Sequence, residues 1–172
     1  MPRQIISSEQ ICGKVGELGR QIADFYRGQP LMVIAVCNGA LLFAADLVRE
    51  IKIPLQLDVI AASSYSGSAS SGEIKFRSLP KLPVAGKNVL IVDDILDSGL
   101  TLGKIVELMR SQNCLSVKTC VLLKKQTVGG PALEADWHGF EIPDVYVFGY
   151  GLDRDEYDRN LAYIATESNN FK

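Results

Sequence analysis

The sequence has little of several features that would point to common functional classes. It has a single histidine, His138, and its four cysteines form no CxxC pair, so a Cys/His zinc site is hard to assemble. The formal net charge is −2, which supplies no overall basic field for nucleic acid or an anionic membrane. No apolar run approaches the roughly 20 residues that span a bilayer, and the first ten residues lack the apolar stretch of a secretory signal. These absences predict a reduced, cytoplasmic protein that binds neither nucleic acid nor a membrane.

The chain does contain alternating apolar strands and amphipathic helices. Ser7 or Ser8 can cap a first helix, and Gln10 is placed for a capping box with Ser7. One face of this helix is expected to carry Ile11, Val15, Leu18, Ile22 and Phe25. The continuous apolar run 31–37 predicts a strand that is buried on both faces, and a helix is expected from Gly39 to about Ile51. Further strands are predicted at 55–62, 89–92, 117–123 and 145–148, with a helix at 100–109. This alternation predicts an α/β domain with a mainly parallel central sheet flanked by helices.

No repeat or linker divides the 172 residues, so we expect a single domain. One segment is unusual, because residues 63–86 are rich in Ser and Gly and poor in large apolar groups. A polar stretch of this length inside a compact domain is typical of a functional loop.

Residues 88–102, NVLIVDDILDSGLTL, carry the strongest functional signal. An apolar strand delivers Asp93 and Asp94 to its carboxyl end, where open α/β sheets bind their ligands. The following turn contains Asp97, Ser98, Gly99, Leu100 and Thr101, and its backbone N–H groups at a helix start can hold a phosphate. No lysine lies in the turn, which excludes a Walker P-loop. Carboxylates beside a phosphate pocket fit a sugar phosphate, since carboxylates accept hydrogen bonds from ribose hydroxyls.

VLIVDDILDSGLTL resembles the phosphoribosyl-pyrophosphate signature of type I phosphoribosyltransferases. LLKKQT, GFEIPDVYVFGYGLDRDEYDRN and the pair Ser64-Tyr65 before a polar loop are similar, in the same order, to the hypoxanthine-guanine branch of that family. The resemblance covers residues 5 to 167. It implies a small hood formed by about 1–10 and 131–172, a flexible active-site loop at about 64–78, and a homodimer or homotetramer.

The resemblance also implies roles for individual residues on the phosphoribosyl side. Asp93 and Asp94 match the acidic pair that binds the ribose hydroxyls directly or through Mg²⁺, although this branch usually has Glu at the first position. Asp97 matches the general base that accepts the purine N7 proton, a role that a carboxylate can fill. Residues 98–101 match the 5′-phosphate loop.

On the purine side, Lys124 matches the lysine that donates to the 6-oxo group, and Tyr146 the aromatic that stacks on the base. The backbone of Val147 would read the edge of the base, and Asp153 matches a carboxylate that binds Mg²⁺ near the purine. Taken by themselves, Lys124 is equally compatible with a solvated strand end, and residues 153–159 with a charged surface turn.

On the pyrophosphate side, Arg159 matches the arginine of the family. The clearest departure is Cys37-Asn38-Gly39, where the family generally has a Leu-Lys-Gly-like tripeptide whose peptide unit contacts pyrophosphate and can be cis. Asn38 lacks the positive charge, but with Gly39 it keeps a backbone that can contact oxygen.

The resemblance therefore predicts an Mg²⁺-dependent enzyme that uses phosphoribosyl pyrophosphate and a 6-oxopurine to make IMP or GMP in purine salvage. An alternative of another class is an RNA-binding regulator of a pyrimidine operon on the same fold, since such proteins share the Asp-Asp loop. A receiver domain is disfavoured because the strand 31–37 ends in Cys-Asn-Gly and not in an acidic pair.

Overall fold

The computed structural model describes residues 2–64, 74–127 and 129–167. Within these residues the helices are α1 (Ser8–Phe25), α2 (Leu41–Glu50) and α3 (Leu100–Ser111). The strands are β1 (Pro2–Ile6), β2 (Leu31–Cys37), β3 (Leu55–Ser64), β4 (Ile74–Ser78), β5 (Asn88–Leu96), β6 (Ser116–Gln126), β7 (Trp137–Pro143), β8 (Val147–Phe148) and β9 (Ile164–Glu167). None of the described helices is long and apolar enough to cross a membrane.

Six strands form the main sheet in the order β4-β3-β2-β5-β6-β7. All neighbouring pairs run parallel except β3 and β4, which are antiparallel. The central strand β2 is buried along six of its seven residues, as expected for a strand that has helices on both sides. The predicted α/β fold class is thus confirmed.

The sheet separates two apolar clusters. Residues of α1 and α2 pack with alternate residues of β2 and β5 on one face, and α3 packs with the other alternate residues on the opposite face. Because the parallel strands all end at the same edge, the segments that follow β2 and β5 are brought together there.

Helix α1 begins as its sequence predicts. Ser7 is the N-cap, and both hydrogen bonds of the capping box with Gln10 are present. The first four residues of the predicted apolar face are buried, but the fifth, Phe25, is 54% exposed, and Tyr26 is buried in its place. The helix ends at Phe25, so the next residue no longer follows the helical spacing and turns into the core.

A second, three-stranded sheet has the order β1-β9-β8, and all its pairs are antiparallel. It combines residues 2–6 with 147–148 and 164–167, which come from the two segments expected to form the hood. Trp137–Pro143, also within the expected range, is instead the edge strand of the main sheet. We call the β1-β9-β8 sheet and the connecting residues 149–163 the hood.

Candidate active site

Asp93 and Asp94 lie near the carboxyl end of β5. Asp93 is only 8% exposed, and its Oδ1 accepts a hydrogen bond from the backbone N–H of Asp94 at 3.0 Å. Burial, together with the negative charge of Asp94, raises the pKa of Asp93 well above its usual value. Burial also raises the pKa of Asp94, although Asp93 and the more distant Arg159 act in the opposite direction. Two carboxylates that desolvation destabilises in this way are suited to receive hydroxyl donors or a cation.

The turn after β5 presents backbone donors at the start of α3. Gly99 is the N-cap and has φ of +77°, a left-handed conformation that glycine adopts without strain. A Cβ at this position would approach Leu133 N to 3.0 Å, and Ser98 O accepts a hydrogen bond from Ala132 N at 2.8 Å. The segment around residues 132–133 therefore supports the back of the turn, while the helix dipole favours an anion at the front.

The loop after β2 faces this acidic pair. The peptide bond between Cys37 and Asn38 is cis. A Cβ at Gly39 would collide with the carboxylate of Asp94, and one at Gly151 would collide with Gly39 O. The backbone of this loop is therefore held between the end of β5 and the hood by contacts that only glycine permits.

The hood contributes an ion-paired group on the other side. Arg159 donates to Gly151 O at 2.9 Å and pairs with Asp153 at 3.0 Å and Glu156 at 2.8 Å. Burial acts to lower the pKa of Arg159, but Glu156 and Asp153 outweigh it and the pKa is raised, so the guanidinium stays charged.

These elements enclose one pocket of about 370 Å³. The predicted site residues that line it are Asn38, Gly39, Asp93, Asp94, Thr101, Asp153 and Arg159. The fold thus brings together side chains from four separate segments of the sequence, with carboxylates and a guanidinium around a common space.

A second cluster, whose residues are not among those that line the pocket, contains a lysine that differs from the predicted one. Lys125 donates to Asp97 at 3.0 Å and to Asp144 at 3.1 Å, and its side chain is 13% exposed. Lys124 pairs instead with Glu134 at 2.7 Å. The register explains this division, because Lys124 lies opposite Leu96 in the parallel pair β5-β6, and the next residue of each strand turns to the other face.

The remaining predicted residues lie at the hood and in the polar loop. Tyr146 is 50% exposed and donates its hydroxyl to Asp153 O at 2.9 Å, while Val147 begins β8 and pairs with Thr166. Ser64 ends β3, and Tyr65, like most of the predicted loop 64–78, lies outside the described residues.

Sequence reasoning did not single out Lys125 and Asp144. Both residues lie in segments that the sequence analysis recognised, LLKKQT and GFEIPD. The signal that distinguishes the two lysines is the pairing of Lys124 with Leu96, which leaves Lys125 to face Asp97. Asp144 follows β7, a strand that the sequence did not predict, so its position next to Lys125 was not visible.

The comparison with known proteins agrees with this geometry. Residues 3–156 match the model of the phosphoribosyl transferase domain. A hypoxanthine-guanine phosphoribosyltransferase of Bacillus subtilis is 44% identical over 161 residues, which cover 93% of this chain and 89% of the relative. The chain belongs to the phosphoribosyltransferase family, in its hypoxanthine-guanine branch.

Solved structures of the family have the same fold. A hypoxanthine-guanine phosphoribosyltransferase of Bacillus anthracis, with HEPES in its active site, aligns with a TM-score of 0.90 and 40% identity over 96% of this chain and 98% of that one. A hypoxanthine phosphoribosyltransferase of Trypanosoma cruzi in complex with its product IMP aligns with a TM-score of 0.88 and 33% identity over 98% and 95% of the two chains. The family membership therefore extends over the main sheet and the hood together.

Proposed function

We propose that the protein transfers the 5-phosphoribosyl group from phosphoribosyl pyrophosphate to hypoxanthine or guanine, giving IMP or GMP and pyrophosphate for purine salvage. The observation that carries the proposal is the carboxylate pair of Asp93, which is buried, and Asp94, which is half-buried. This pair lies near the start of α3 and faces Gly39 and Arg159 across one pocket. The relatives named above are hypoxanthine or hypoxanthine-guanine enzymes, which favours this reaction over RNA-binding regulation.

Phosphoribosyl pyrophosphate would bind along this pocket in three parts. The Asp93 and Asp94 carboxylates would accept from the ribose hydroxyls, which relieves the cost of their burial. The 5′-phosphate would lie at residues 98–101, where the N–H groups of the first turn of α3 point outward. The pyrophosphate would meet the backbone of Asn38 and Gly39 and the guanidinium of Arg159, a group whose fixed N–H fork suits phosphate oxygens.

The base would lie between Tyr146 and the Lys125 cluster. We favour Lys125 over Lys124 as the donor to the 6-oxo group because Lys125 shares the face of Asp97, while Lys124 pairs with Glu134. Tyr146 would stack on the purine with its half-exposed ring, and the Val147 backbone would contact the edge of the base. Asp97 would accept the N7 proton as the glycosidic bond forms, and its negative charge would stabilise positive charge on the ribosyl carbon.

Mg²⁺ fits the donor set of this pocket. Asp93, Asp94 and Asp153 line it, although the described residues contain no group of three or more carboxylate, thiol or imidazole side chains that converges as a metal site. Mg²⁺ commonly uses one or two carboxylates and completes its shell with water and substrate phosphates. Bound to the substrate, it would neutralise the leaving pyrophosphate.

The first test measures nucleotide formation from phosphoribosyl pyrophosphate with hypoxanthine, guanine, xanthine and uracil. We expect turnover with hypoxanthine or guanine and none with uracil. Absence of turnover with every 6-oxopurine would refute the proposed reaction.

The second test is Asp97→Asn, which keeps the size of the side chain but removes its capacity to accept a proton. We expect kcat to fall by about 10²-fold or more, with little change in the melting temperature because the side chain is half exposed. Near-normal turnover would remove Asp97 from the role of base.

We also propose that the protein is cytoplasmic and assembles as a homodimer or homotetramer. Its four cysteines are free thiols, which suits a reducing compartment. Leu57 and Val59 of β3 and Leu41 and Leu42 of α2 are 37–46% exposed, and apolar groups of this kind favour self-association. Light scattering coupled to size-exclusion chromatography distinguishes an assembly from a monomer of 18.8 kDa.

A further inference from the structure

Lys125 holds together three segments that are far apart in the sequence. Its own strand is β6, Asp97 belongs to the turn between β5 and α3, and Asp144 follows the edge strand β7. The two N···O distances, 3.0 and 3.1 Å, are nearly equal. The ammonium therefore lies between the two carboxylates and is not captured by either.

An ammonium group has three N–H donors and no acceptor. Among the residues that the structure describes, Asp97 and Asp144 accept hydrogen bonds from Lys125, so its third N–H can donate to a ligand oxygen. Burial acts to lower the pKa of Lys125, but the hydrogen bonds that it donates to Asp97 and Asp144 outweigh burial and the pKa is raised. The group is thus a permanent cation whose direction is set by two anions.

We propose that Asp144 is a positioning residue, which shares the Lys125 ammonium with Asp97 and so directs its third N–H to the 6-oxo group of the base. This inference rests on the proposed function. Without Asp144, the ammonium has Asp97 as its single anion and can turn about that one contact, because the second carboxylate no longer fixes its direction. The third N–H is then no longer directed at the base, and a 6-oxopurine has to order the lysine as it binds, which weakens binding.

The neighbouring lysine supplies a matched control. Lys124 also pairs with an exposed carboxylate, Glu134, and the distance of 2.7 Å is shorter than either contact of Lys125. The side chains of Glu134 and Asp144 are 66% and 61% exposed, so Glu134→Gln and Asp144→Asn remove the same charge from similar surroundings. Only the second change alters the lysine that contacts Asp97.

The experiment is steady-state kinetics with each substrate varied while the other is saturating. Asp144→Asn is expected to raise KM for hypoxanthine by about three- to tenfold, as for the loss of one partly exposed charged hydrogen bond, and to leave KM for phosphoribosyl pyrophosphate within about twofold. Asp144→Glu should keep KM for hypoxanthine close to that of the unmodified protein, because it retains the carboxylate. Asp144→Ser should raise this KM as Asp144→Asn does. Glu134→Gln should leave both KM values unchanged.

The outcomes separate this inference from the function on which it rests. If the unmodified protein turns over no 6-oxopurine, the proposed function falls, and the inference falls with it. If it is active but Asp144→Asn leaves KM for hypoxanthine unchanged, raises both KM values equally, or behaves like Glu134→Gln, the inference alone is overturned. Thermal unfolding of each variant shows whether a loss of folded protein accounts for any change.

Discussion

Asp93 and Asp94 are adjacent carboxylates at the end of a strand whose preceding residues are apolar and buried. Their placement opposes folding, because desolvation and mutual repulsion raise the pKa of Asp93 well above its usual value. A group whose pKa is raised in the folded state stabilises the protein most at low pH, where it is protonated in both states. That contribution is lost as the pH rises through the folded-state pKa, so the pair costs most near neutrality.

Asp93→Asn is therefore expected to raise the melting temperature at pH 7.5 while it impairs activity. The amide oxygen can still accept the hydrogen bond from Asp94 N, but no charge is buried. We expect a gain of about 1–2 kcal/mol, or about 3–6 °C in Tm, in calorimetry with EDTA and without substrate. The gain should shrink as the pH falls toward 4.

Asp58 provides a control of the opposite sign. Although burial acts to raise it, backbone hydrogen bonds from Leu82, Val59 and Lys81 hold the pKa of Asp58 below its usual value. Asp58→Asn should therefore lower Tm at neutral pH, and the difference should vanish in acid, where the carboxylate is protonated in both states. If the two variants shift Tm in the same direction, desolvation of Asp93 does not govern its effect.

Single residues also mark where sequence reasoning succeeds and where it stops. Residues 88–102 could be interpreted locally, since an acidic strand end, a glycine turn and a helix start lie consecutively. The lysine that pairs with Asp97 could not be identified in this way, because Lys124 and Lys125 are both positive. The residues before them in β6 are buried on both faces of the strand, so no polar-apolar alternation shows which lysine faces Asp97. Spatial register, not composition, selects between them.

Among the elements, the loop 37–39 depends on two glycines from different parts of the chain. Gly39 lies against Asp94, and Gly151 lies against Gly39 O with φ of +102°. The backbone of the hood at Gly151 thus packs directly against the backbone of Gly39. The shape of the loop 37–39 therefore depends on a residue that lies more than a hundred positions later.

Gly151→Ala is expected to raise KM for phosphoribosyl pyrophosphate and to lower stability by about 1–3 kcal/mol. The methyl group collides with the Gly39 carbonyl and displaces the loop, whereas the base site is not touched. Substrate titrations and thermal unfolding measure the two effects.

Gly28→Ala separates strain from collision. Gly28 also has a positive φ, of +76°, but a Cβ there meets no atom within 4 Å. The Gly28→Ala variant should lose about 1 kcal/mol of folding stability from backbone strain alone, and both KM values should be unchanged. Equal kinetic effects in the two alanine variants would show that the contact with Gly39 does not shape the site.

The elements that the sequence predicted best are those with a continuous apolar run or a clear cap. The bounds of β2 agree with the predicted run 31–37, and α1 begins at its predicted cap, because continuous burial and capping leave clear local patterns. Strands β1, β4, β7 and β9 were not predicted. β1 and β7 contain mostly exposed or half-buried residues, and β9 has only four residues, so neither a period of two nor an apolar run identifies them.

At the scale of the whole molecule, a partly buried hydrogen bond joins the hood to the helix layer. The Tyr150 hydroxyl donates to Asp46 of α2 at 2.6 Å, and Tyr150 is 8% exposed. Burial, and then the hydrogen bond with Asp46, raises the pKa of Tyr150, so the phenol stays a donor over the whole working pH range.

Tyr150→Phe is expected to lower Tm by about 3–6 °C, which corresponds to about 1–2 kcal/mol for a partly buried hydrogen bond to a charged acceptor. Because the ring still fills its place, kcat at 25 °C should change little. Tyr157→Phe is the matched control, since Tyr157 is 75% exposed and its variant should unfold at the same temperature as the unmodified protein. A Tyr150→Phe variant with unchanged Tm would show that the bond contributes nothing to the union of hood and main sheet.

The pairing of β1 with β9 has a consequence for synthesis. Ile6 lies opposite Ile164, so β1 finds its partner β9 only when nearly all the described chain has been made. The main sheet, whose parallel neighbours are closer in sequence, can assemble earlier, while β1 remains an unpaired edge that is open to other chains. The hood forms after the main sheet and supplies Arg159 and Asp153 to the pocket, so the site of a nascent chain is incomplete until the hood has folded.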